Sequence, residues 1–475
     1  MDLHLTLLFI CLYNQGVTNA QVAEEESNPL VPLIPLIPSQ AINDSTPDPG
    51  SANITASPPL SMATSTPSEE DASEEDEGCA SIARSSEARE AIATSVQKLG
   101  AQLLQNLKTT PEQPNVIISP YSIALALSQL ALGAVNETEE LLMQHLHGNT
   151  ITCYHHSVNH ILGQLRNSDL KIATRIFLRQ GFTPKEDFLQ ESKRLYSSEP
   201  AILESLKQLN DWVENATNGK MSDFLSAVPP NMLLMLINAV YFKGEWKARF
   251  DPRFTTTGVF FLDDKHMVNV EVMEGSKHPL SLLNDSELES QVASFPFVKG
   301  MSFLVIMPMS GHVNVSSLAP KLNISSIYNR LPKQRVVHVK VPKFKLEYTQ
   351  ELQEVFTKLG LGDMFSSPNL ADMADGPLLV SSVFHKSAIE INEEGAEVSA
   401  ATTVVISRSS SPVFYLSHPF LFALVDDKTQ VPVFMGVINN PNPGAPVLLR
   451  GESRSNDKDA LQSDKKMGVF GGPPK

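Results

Sequence analysis

Apolar residues recur at helical spacing early in the chain and in strand-like runs later. In residues 86–107 (SEAREAIATSVQKLGAQLLQNL) they fall three or four positions apart, which predicts an amphipathic helix. Residues 115–134 predict a short strand, a helix start at a Ser-Pro pair and a buried helix. A further helix is predicted at 209–213, a buried strand at 232–242 and alternating strands at 335–348. Helices followed mostly by strands predict an α+β domain with large antiparallel sheets over residues 79–442.

Two flanking segments lack this patterning. Residues 21–78 contain twelve acids and no Lys or Arg among Pro, Ser and Thr, which predicts a disordered extension. Residues 443–475 predict a flexible polar tail. The acidic extension accounts for most of the formal net charge of -16, so the body is nearly balanced. No basic footprint for nucleic acid is present, and no nucleic-acid partner is expected.

The chain begins with an apolar run, LHLTLLFICL at 3–12, followed by the small residues Thr18 and Ala20. This predicts a signal peptide at 1–20 and therefore secretion, with a buried helix as the alternative. The run is too short to span a bilayer, and no membrane attachment is expected.

Two cysteines, Cys79 and Cys153, remain once Cys11 is assigned to the leader. An oxidising compartment favours a disulfide between them, and two unpaired thiols are the alternative. Seven N-x-[ST] sequons are glycosylation candidates. They are Asn43, Asn53, Asn136, Asn215, Asn284, Asn314 and Asn323.

Motifs of enzymes are missing from the sequence. It contains no G-x-S-x-G elbow, H-E-x-x-H helix, P-loop or Rossmann glycine run, so an enzyme is not expected and neither is a cofactor. His156 and His160 near Cys153 have the spacing of metal ligands on a helix, but a polar helix face explains them more simply. No metal site is therefore predicted.

A long segment of small residues precedes the last predicted strands, at 413–416, 420–425 and 433–438. A structureless loop of this length inside a domain indicates function. Its Val, Thr and Ile residues favour strand, and its Gly, Ala and Ser residues are small enough to enter between strands. Arg408, followed by Ser409, is the side chain that a protease with an acidic specificity pocket takes.

Five segments, in order, resemble the serpin family over most of 79–442. They are NVIISPYSIALALSQLALGA, LNDWVENATNGKMSDFL, LINAVYFKGEWKARFDP, EEGAEVSAAT and SHPFLFALVDD. The resemblance implies the serpin fold, with helices plus three β-sheets and an exposed reactive-centre loop, in a monomeric protein. It further implies a suicide-substrate inhibitor of trypsin-like serine proteases.

The resemblance assigns roles to particular residues. Arg408-Ser409 is the implied reactive bond, and Gly395, Ala396 and Glu397 form the implied loop hinge. Most inhibitory members place the scissile residue fourteen after the hinge glycine, whereas Arg408 is thirteen after it, so strict counting selects Ser409. Arg408 is nevertheless the implied scissile residue, because the members that this chain most resembles also have a loop that is one residue shorter. Four other matching positions have implied structural roles. Ser119 and Ser122 belong to the region through which the sheet opens, and Asn238 and Trp246 are core positions.

Within the family the chain is most similar to a member that inhibits plasmin. ISRSSS, PNPGAP at 441–446 and NDKDALQSDKK carry this likeness. It implies plasmin as the target and hence a regulator of fibrinolysis. It also suggests that Gln21 is a mature N-terminus that transglutaminase joins to fibrin. Tail lysines would bind the kringles of plasmin: Lys458, Lys465, Lys466 and Lys475.

Two alternatives remain open. A non-inhibitory serpin, serving as carrier or chaperone, would share the fold but form no stable complex with a protease. A hydrolase is the third class, and it lacks any motif in the sequence.

Overall fold

The computed structural model describes residues 77–310, 313–396 and 412–450 of the 475-residue chain. Helices and strands are numbered in chain order. The helices are α1 (Ser86–Asn106), α2 (Pro120–Leu132), α3 (Glu137–His145), α4 (Tyr154–Leu165), α5 (Glu186–Tyr196), α6 (Leu206–Ala216), α7 (Ile324–Arg330) and α8 (Gln353–Phe356). The strands are β1 (Val116–Ile118), β2 (Leu170–Arg179), β3 (Ala201–Leu203), β4 (Leu234–Lys243), β5 (Thr255–Phe261), β6 (His266–Asp285), β7 (Ser290–Pro296), β8 (Met301–Pro308), β9 (Arg335–Pro342), β10 (Phe344–Glu351), β11 (Val380–Ile391), β12 (Val413–Tyr415), β13 (Phe420–Asp426), β14 (Pro432–Ile438) and β15 (Val447–Leu449).

The first two helices begin where local chemistry favours a helix start. The Ser85 side chain accepts a hydrogen bond from the backbone N–H of Ala88 at 3.0 Å and caps α1. Ser119 caps α2 in the same way, and Pro120 occupies the first helical turn. Nearly every side chain of α2 is buried, so this helix lies inside the body.

One sheet has five strands in the order β10-β11-β4-β2-β3. At its centre β11 and β4 pair in parallel, from Val380 opposite Leu234 to Glu390 opposite Lys243. The flanking strands β10 and β2 pair antiparallel to them, and the short β3 pairs in parallel with β2. Two long strands distant in sequence therefore form the middle of this sheet.

The remaining strands form two sheets that share the 20-residue strand β6. One contains β1, β14, β13, β8 and β7, and the other contains β5, β9, β12 and β15. Their inner faces contribute to the main hydrophobic core. On its opposite face the five-stranded sheet carries a second apolar cluster that includes Leu209 and Val213 of α6. The α+β architecture predicted from the sequence is confirmed.

The alternating strands predicted at 335–348 are β9 and β10, and they belong to different sheets. β9 ends at Pro342, pairing with β6, whereas β10 begins at Phe344 and pairs with β11 of the five-stranded sheet. Alternation continues across the junction, so periodicity alone does not reveal that the chain changes sheets at Lys343.

A buried hydrogen-bond network joins the two central strands on the side of the sheet that contacts α2. His385 of β11 lies opposite Asn238 of β4, and its Nδ1 bonds the Asn238 Oδ1 at 2.6 Å. His385 Nε2 accepts from the backbone N–H of Ser119 at 3.2 Å. Asn238 Nδ2 donates to the Ser122 carbonyl at 2.9 Å and to Thr174 Oγ1 at 2.8 Å. The network therefore links three strands to the start of α2.

His385 satisfies both partners only as a neutral ring. Nε2 must be unprotonated to accept from Ser119, so Nδ1 carries the proton and donates to Asn238. Burial lowers the pKa of His385 to about 3, which agrees with this arrangement.

Acidification from pH 7.5 to pH 5 is expected to destabilise the protein through His385. An unfolded histidine titrates near pH 6.5, above the folded pKa of about 3, so the unfolded state takes up the proton first. Between these values the free energy of unfolding falls as pH falls, by about 2 kcal/mol at pH 5 from this group. Urea unfolding of the wild type and of His385→Gln at both pH values measures the effect.

The glutamine amide offers an NH₂ group that can donate and a carbonyl oxygen that can accept, but it does not titrate in this range. The stability advantage of the wild type over His385→Gln should therefore shrink at pH 5. An advantage that does not change with pH would contradict the neutral buried histidine.

Candidate functional site

The segment after β11 leaves the five-stranded sheet and lies against residues 246–250. Trp246 N–H donates to the Glu394 carbonyl at 2.9 Å, and Ala396 N–H donates to the Trp246 carbonyl at 2.8 Å. Arg249 N–H donates to the Ala396 carbonyl at 3.3 Å. Gly395 forms a parallel bridge with Trp246. Two of the residues assigned to the hinge, Gly395 and Ala396, are thus held by backbone hydrogen bonds outside the sheet.

Gly395 lies too close to its neighbour to carry a side chain. A Cβ at this position would lie 2.4 Å from the Trp246 carbonyl oxygen and 2.8 Å from the Trp246 Cβ. The first distance involves rigid backbone, so a larger residue would displace the segment. Glycine therefore permits the close approach on which the bridge depends.

Trp246 is the buried support for this segment. Its ring stacks on Phe297 with centroids 4.3 Å apart, and its Nε1 donates to the Asn392 carbonyl at 2.6 Å. Only 2% of its surface is exposed. The indole therefore fixes both the start of the segment and the strands beneath it.

A charge pair lies beside the hinge. Glu393 accepts from Thr255 Oγ1 at 2.8 Å and lies 3.3 Å from the Lys343 ammonium. Burial opposes ionisation of Glu393, but the hydrogen bonds from Thr255, the backbone and Lys343 outweigh it and lower its pKa. Glu393 is therefore ionised at neutral pH and ties the end of β11 to Lys343, the residue between β9 and β10.

A cavity of about 1080 Å³ opens next to these residues. Acids and bases both line it, including Glu245, Glu271, Glu393, Arg249 and Lys343. Lys343 is already paired with Glu393, and it lies 3.8 Å from Glu271. The cavity therefore lies directly beside the hinge segment, and more acids than bases line it.

The far end of the segment joins another sheet. The Pro412 carbonyl accepts from the His338 N–H at 2.9 Å, and β12 then pairs in parallel with β9. The segment is therefore attached at one end to the five-stranded sheet and at the other to the sheet containing β9. Glu397, Arg408 and Ser409 lie outside the described residues.

The structure joins Cys79 and Cys153 in a disulfide, with Cα atoms 5.3 Å apart. Cys153 immediately precedes α4, so the bridge attaches the first described residues to the start of this helix. The arrangement with two unpaired thiols is not adopted.

The described sequon asparagines lie on the surface. Asn136, Asn215, Asn284, Asn314 and Asn323 are all exposed. Asn314 and Asn323 also cap helical turns, since their side-chain oxygens accept from Ser316 N at 3.1 Å and from Ser326 N at 2.8 Å. The amide nitrogens that would carry a glycan are not used in these caps. Asn43 and Asn53 lie outside the described residues.

The last described residues are attached to the body by strand pairing. Val447 lies opposite Val268, and Leu449 opposite His266, so β15 adds to the edge of β6. Arg450 N–H then donates to the Lys265 carbonyl at 2.8 Å. Residues 447–450 at the start of the tail are therefore held on the folded domain. Lys458, Lys465, Lys466 and Lys475 lie outside the described residues.

The histidines of α4 are engaged individually. His155 Nδ1 bonds the Tyr196 hydroxyl, and burial, followed by the charge of His156, lowers the pKa of His155 to about 4. His160 Nε2 bonds Gln164 at 2.7 Å. Across the described ranges, no three His, Cys, Asp or Glu residues are grouped to hold a metal ion. Nor is any helix in those ranges long and apolar enough to cross a bilayer.

Sequence reasoning missed two pairs that position the site. The His385–Asn238 bond and the Lys343–Glu393 pair join residues far apart in the chain. Each residue alone has an ordinary local context. The signal that sequence offered was Asn238, a single amide side chain within the apolar run of β4, and it does not identify its partner.

Comparisons with known proteins agree with this architecture. The family model described as serpin (serine protease inhibitor) matches residues 94–441. Alpha-2-antiplasmin of Bos taurus is 38% identical over 380 residues, covering 79% of this chain and 77% of the relative. Alpha-2-antiplasmin of Mus musculus is 37% identical over 399 residues, covering 83% of this chain and 81% of the relative.

The fold is similar to that of a solved structure, mouse protein-Z dependent protease inhibitor. The TM-score is 0.67 at 22% identity, over 76% of this chain and 99% of that chain. The family match spans both central strands and the hinge, and the antiplasmin relatives align over most of the sequence. The chain therefore belongs to the serpin family of serine protease inhibitors.

Proposed function

We propose that this chain is a suicide-substrate inhibitor of trypsin-like serine proteases that presents Arg408-Ser409 as bait, with plasmin as its principal target. The observation that carries the proposal is the direct parallel pairing of β4 and β11 while Gly395 and Ala396 lie outside the sheet. A segment that reverses direction after β11 runs antiparallel to it. Because β4 is parallel to β11, the same segment would pair antiparallel with both strands.

Insertion would replace one parallel interface by two antiparallel ones, which are slightly more stable per residue. About ten additional backbone hydrogen bonds at ~1 kcal/mol each, together with apolar burial, would drive the change. The small residues of the segment fit between existing strands with little steric conflict. We propose that the free energy released by insertion drives the displacement and distortion of the bound protease.

The length of the segment suits the space. Residues 395–407, extended at about 3.4 Å each, span about 44 Å. β11 has 12 residues, so the inserted segment would follow almost its whole length. Arg408 would then lie at the end of the sheet opposite Trp246, with the bound protease carried there.

The chemistry belongs to the protease. Its serine Oγ attacks the Arg408 carbonyl carbon, the Arg408–Ser409 C–N bond breaks, and the protonated Ser409 nitrogen leaves as a new amino terminus. An ester joins the two proteins, and water would normally hydrolyse it. Distortion of the oxyanion hole and triad during transport removes several orders of magnitude from that step, so the ester persists.

Two features, besides the contacts of Trp246 with the hinge, oppose insertion before cleavage. The intact segment is attached at Pro412 to the sheet containing β9, which prevents its far end from following the hinge. The His385–Asn238 hydrogen bond joins the two strands that must separate. Cleavage beyond Arg408 removes the first constraint, and the energy of insertion can then overcome the second.

Plasmin is favoured by the alpha-2-antiplasmin relatives and by the lysines of the tail. Lys458, Lys465, Lys466 and Lys475 carry ε-ammonium groups, which are the groups that lysine-binding kringles recognise. A second contact raises the effective concentration of the inhibitor at its target. Because β15 pairs with β6, the proposed plasmin-binding tail would extend from a fixed point on the folded domain.

Secretion into plasma completes the proposal. It rests on the leader at 1–20, the disulfide and the exposed sequons. In this setting Gln21 would be available for cross-linking to fibrin, and the protein would act as a monomer that limits fibrinolysis. The alternative, a carrier or chaperone, would use the same fold without trapping a protease.

Arg408→Ala is expected to lower the second-order rate constants for inhibition of trypsin and plasmin by about 10³-fold or more, because the acidic specificity pocket loses its charged partner. Ser407→Ala is the neighbouring control and should retain inhibition. Urea unfolding should be the same for both variants. Undiminished plasmin inhibition by Arg408→Ala would refute the assignment of the bait residue.

Ala396→Pro is expected to convert the inhibitor into a substrate. Proline has no N–H to donate in a new sheet ladder and its ring restricts the backbone, so insertion should lose to deacylation. On denaturing gels the protease-linked band should give way to cleaved inhibitor, whereas Ala396→Ser should keep the linked band. The carrier alternative predicts no linked band even for the wild type.

Removal of residues 456–475 is expected to slow plasmin capture and leave trypsin capture unchanged, because only plasmin has kringles for the tail. Stopped-flow association rates for both enzymes measure this. Replacement of the four tail lysines by Gln in the full-length chain controls for length. Equal slowing of both proteases would rule out the tether.

A further inference from the structure

The C-terminal end of α3 contacts the connection between β10 and β11. α3 ends at His145, and a wider, π-helical turn, Thr357–Leu361, follows α8 on that connection. The His145 Nδ1 lies 2.8 Å from the carbonyl oxygen of Leu141, one helical turn earlier in α3. Its Nε2 lies 2.8 Å from the carbonyl oxygen of Leu359 in the π-helical turn. The ring therefore joins two backbone carbonyl groups that belong to distant parts of the chain.

Both contacts require a protonated ring. A carbonyl oxygen accepts hydrogen bonds and cannot donate, so each ring nitrogen bonded to one must carry a hydrogen. A neutral imidazole has one N–H, whereas the imidazolium has two. The buried His385 differs, since it meets one donor and one acceptor and is satisfied as a neutral ring. His145 makes both of its hydrogen bonds only as a cation.

The local backbone favours this arrangement. His145 is the last residue of α3, where the helix dipole stabilises a positive charge. Gly360, next to Leu359, has a φ of 99°, and a Cβ at this position would lie 3.2 Å from the His145 Nε2. Glycine therefore permits both the left-handed backbone and the close approach of the ring.

The neighbouring charged or titratable groups belong to the surrounding elements. They are Lys98 of α1, Glu137, Glu139 and Glu140 in the first turn of α3, His147 after α3, Glu354 of α8 and Lys358 of the π-helical turn. Lys358 is paired with Glu354. Burial lowers the pKa of His147, and the charges of Lys98 and His145 lower it further. Among the described residues no carboxylate pairs with His145, so the two carbonyl groups are the partners of its protons.

We propose that His145 is a pH-operated latch between α3 and the π-helical turn Thr357–Leu361. While the ring is protonated, both nitrogens donate and the turn is held against the end of α3. When the ring loses a proton, one nitrogen presents a lone pair to a carbonyl oxygen, so the ring must rotate away from that oxygen. The remaining hydrogen bond is then no longer charge-assisted and is weaker. The connection between β10 and β11 therefore opens more often as pH rises.

The expected direction is opposite to that of His385. A histidine in water exchanges its proton near pH 6.5, so the latch should be closed below this pH and released above it. Protonation of His385 instead destabilises the protein as pH falls. Stronger protection of the turn at the lower pH therefore cannot come from His385. The latch is also independent of the bait segment, so failure of the proposed inhibitory function leaves it standing.

Hydrogen exchange of the full-length protein, followed by mass spectrometry of a peptide covering residues 357–361, measures the opening. After correction for the intrinsic exchange rate at each pH, protection of this peptide in the wild type should fall about fivefold or more from pH 6.0 to pH 8.0. His145→Gln keeps an N–H donor but carries no charge, so protection should be low at both pH values.

The matched control is His418→Gln. His418 Nε2 lies 2.9 Å from one carbonyl oxygen, that of Pro308, which a neutral ring already satisfies. This variant should keep the wild-type dependence of the turn on pH.

A second variant and the wild type keep the test decisive if His145→Gln does not fold. His145→Arg keeps a permanent cation with several donors, so protection of the turn should stay high at pH 8.0. The proposal is overturned if protection of the turn in the wild type does not fall from pH 6.0 to pH 8.0. It is also overturned if a folded His145→Gln retains the wild-type fall.

Discussion

The parallel pairing of β4 with β11 is the constraint on which the rest of the structure depends. Ten residues of β4 lie beside β11 in a geometry that an antiparallel strand between them would improve upon. The segment able to form such a strand begins directly after β11, at Glu393–Ala396. The proposed function requires that the same chain can reach a better pairing from this arrangement, which is what makes the proposed inhibitor metastable.

Contacts in three places stabilise the arrangement in which the segment lies outside the sheet. Trp246 holds the hinge outside the sheet through backbone bonds that require glycine at 395. The hydrogen bond between His385 and Asn238 joins the two central strands on the side of the sheet that contacts α2. Pro412 and β12 hold the far end of the segment on another sheet. In the proposed mechanism a cut at Arg408-Ser409 would release only the last of these, so cleavage, rather than binding alone, would start the change.

The sequence predicted those parts of the molecule that are encoded locally. Apolar spacing located α1 and α2 within one or two residues, and the long small-residue segment with a single Arg408 identified the proposed bait. Spacing could not predict contacts between distant segments. His385 meets Asn238 across 147 positions, and Lys343 meets Glu393 where the chain passes from one sheet to another. The sequence also could not predict that the buried Arg175 Nε and Gln129 Oε1 have no hydrogen-bond partner, because that depends on the groups around them in space.

The melting temperature before and after a single cut at the bait segment tests the central claim most directly. Limited trypsin treatment, with cleavage after residue 408 verified by mass spectrometry, gives the nicked protein without an attached enzyme. If the freed segment enters between β4 and β11, about 10 kcal/mol of new backbone hydrogen bonds should raise the melting temperature by about 15 °C or more. A nicked protein that melts at or below the temperature of the intact one would contradict the account.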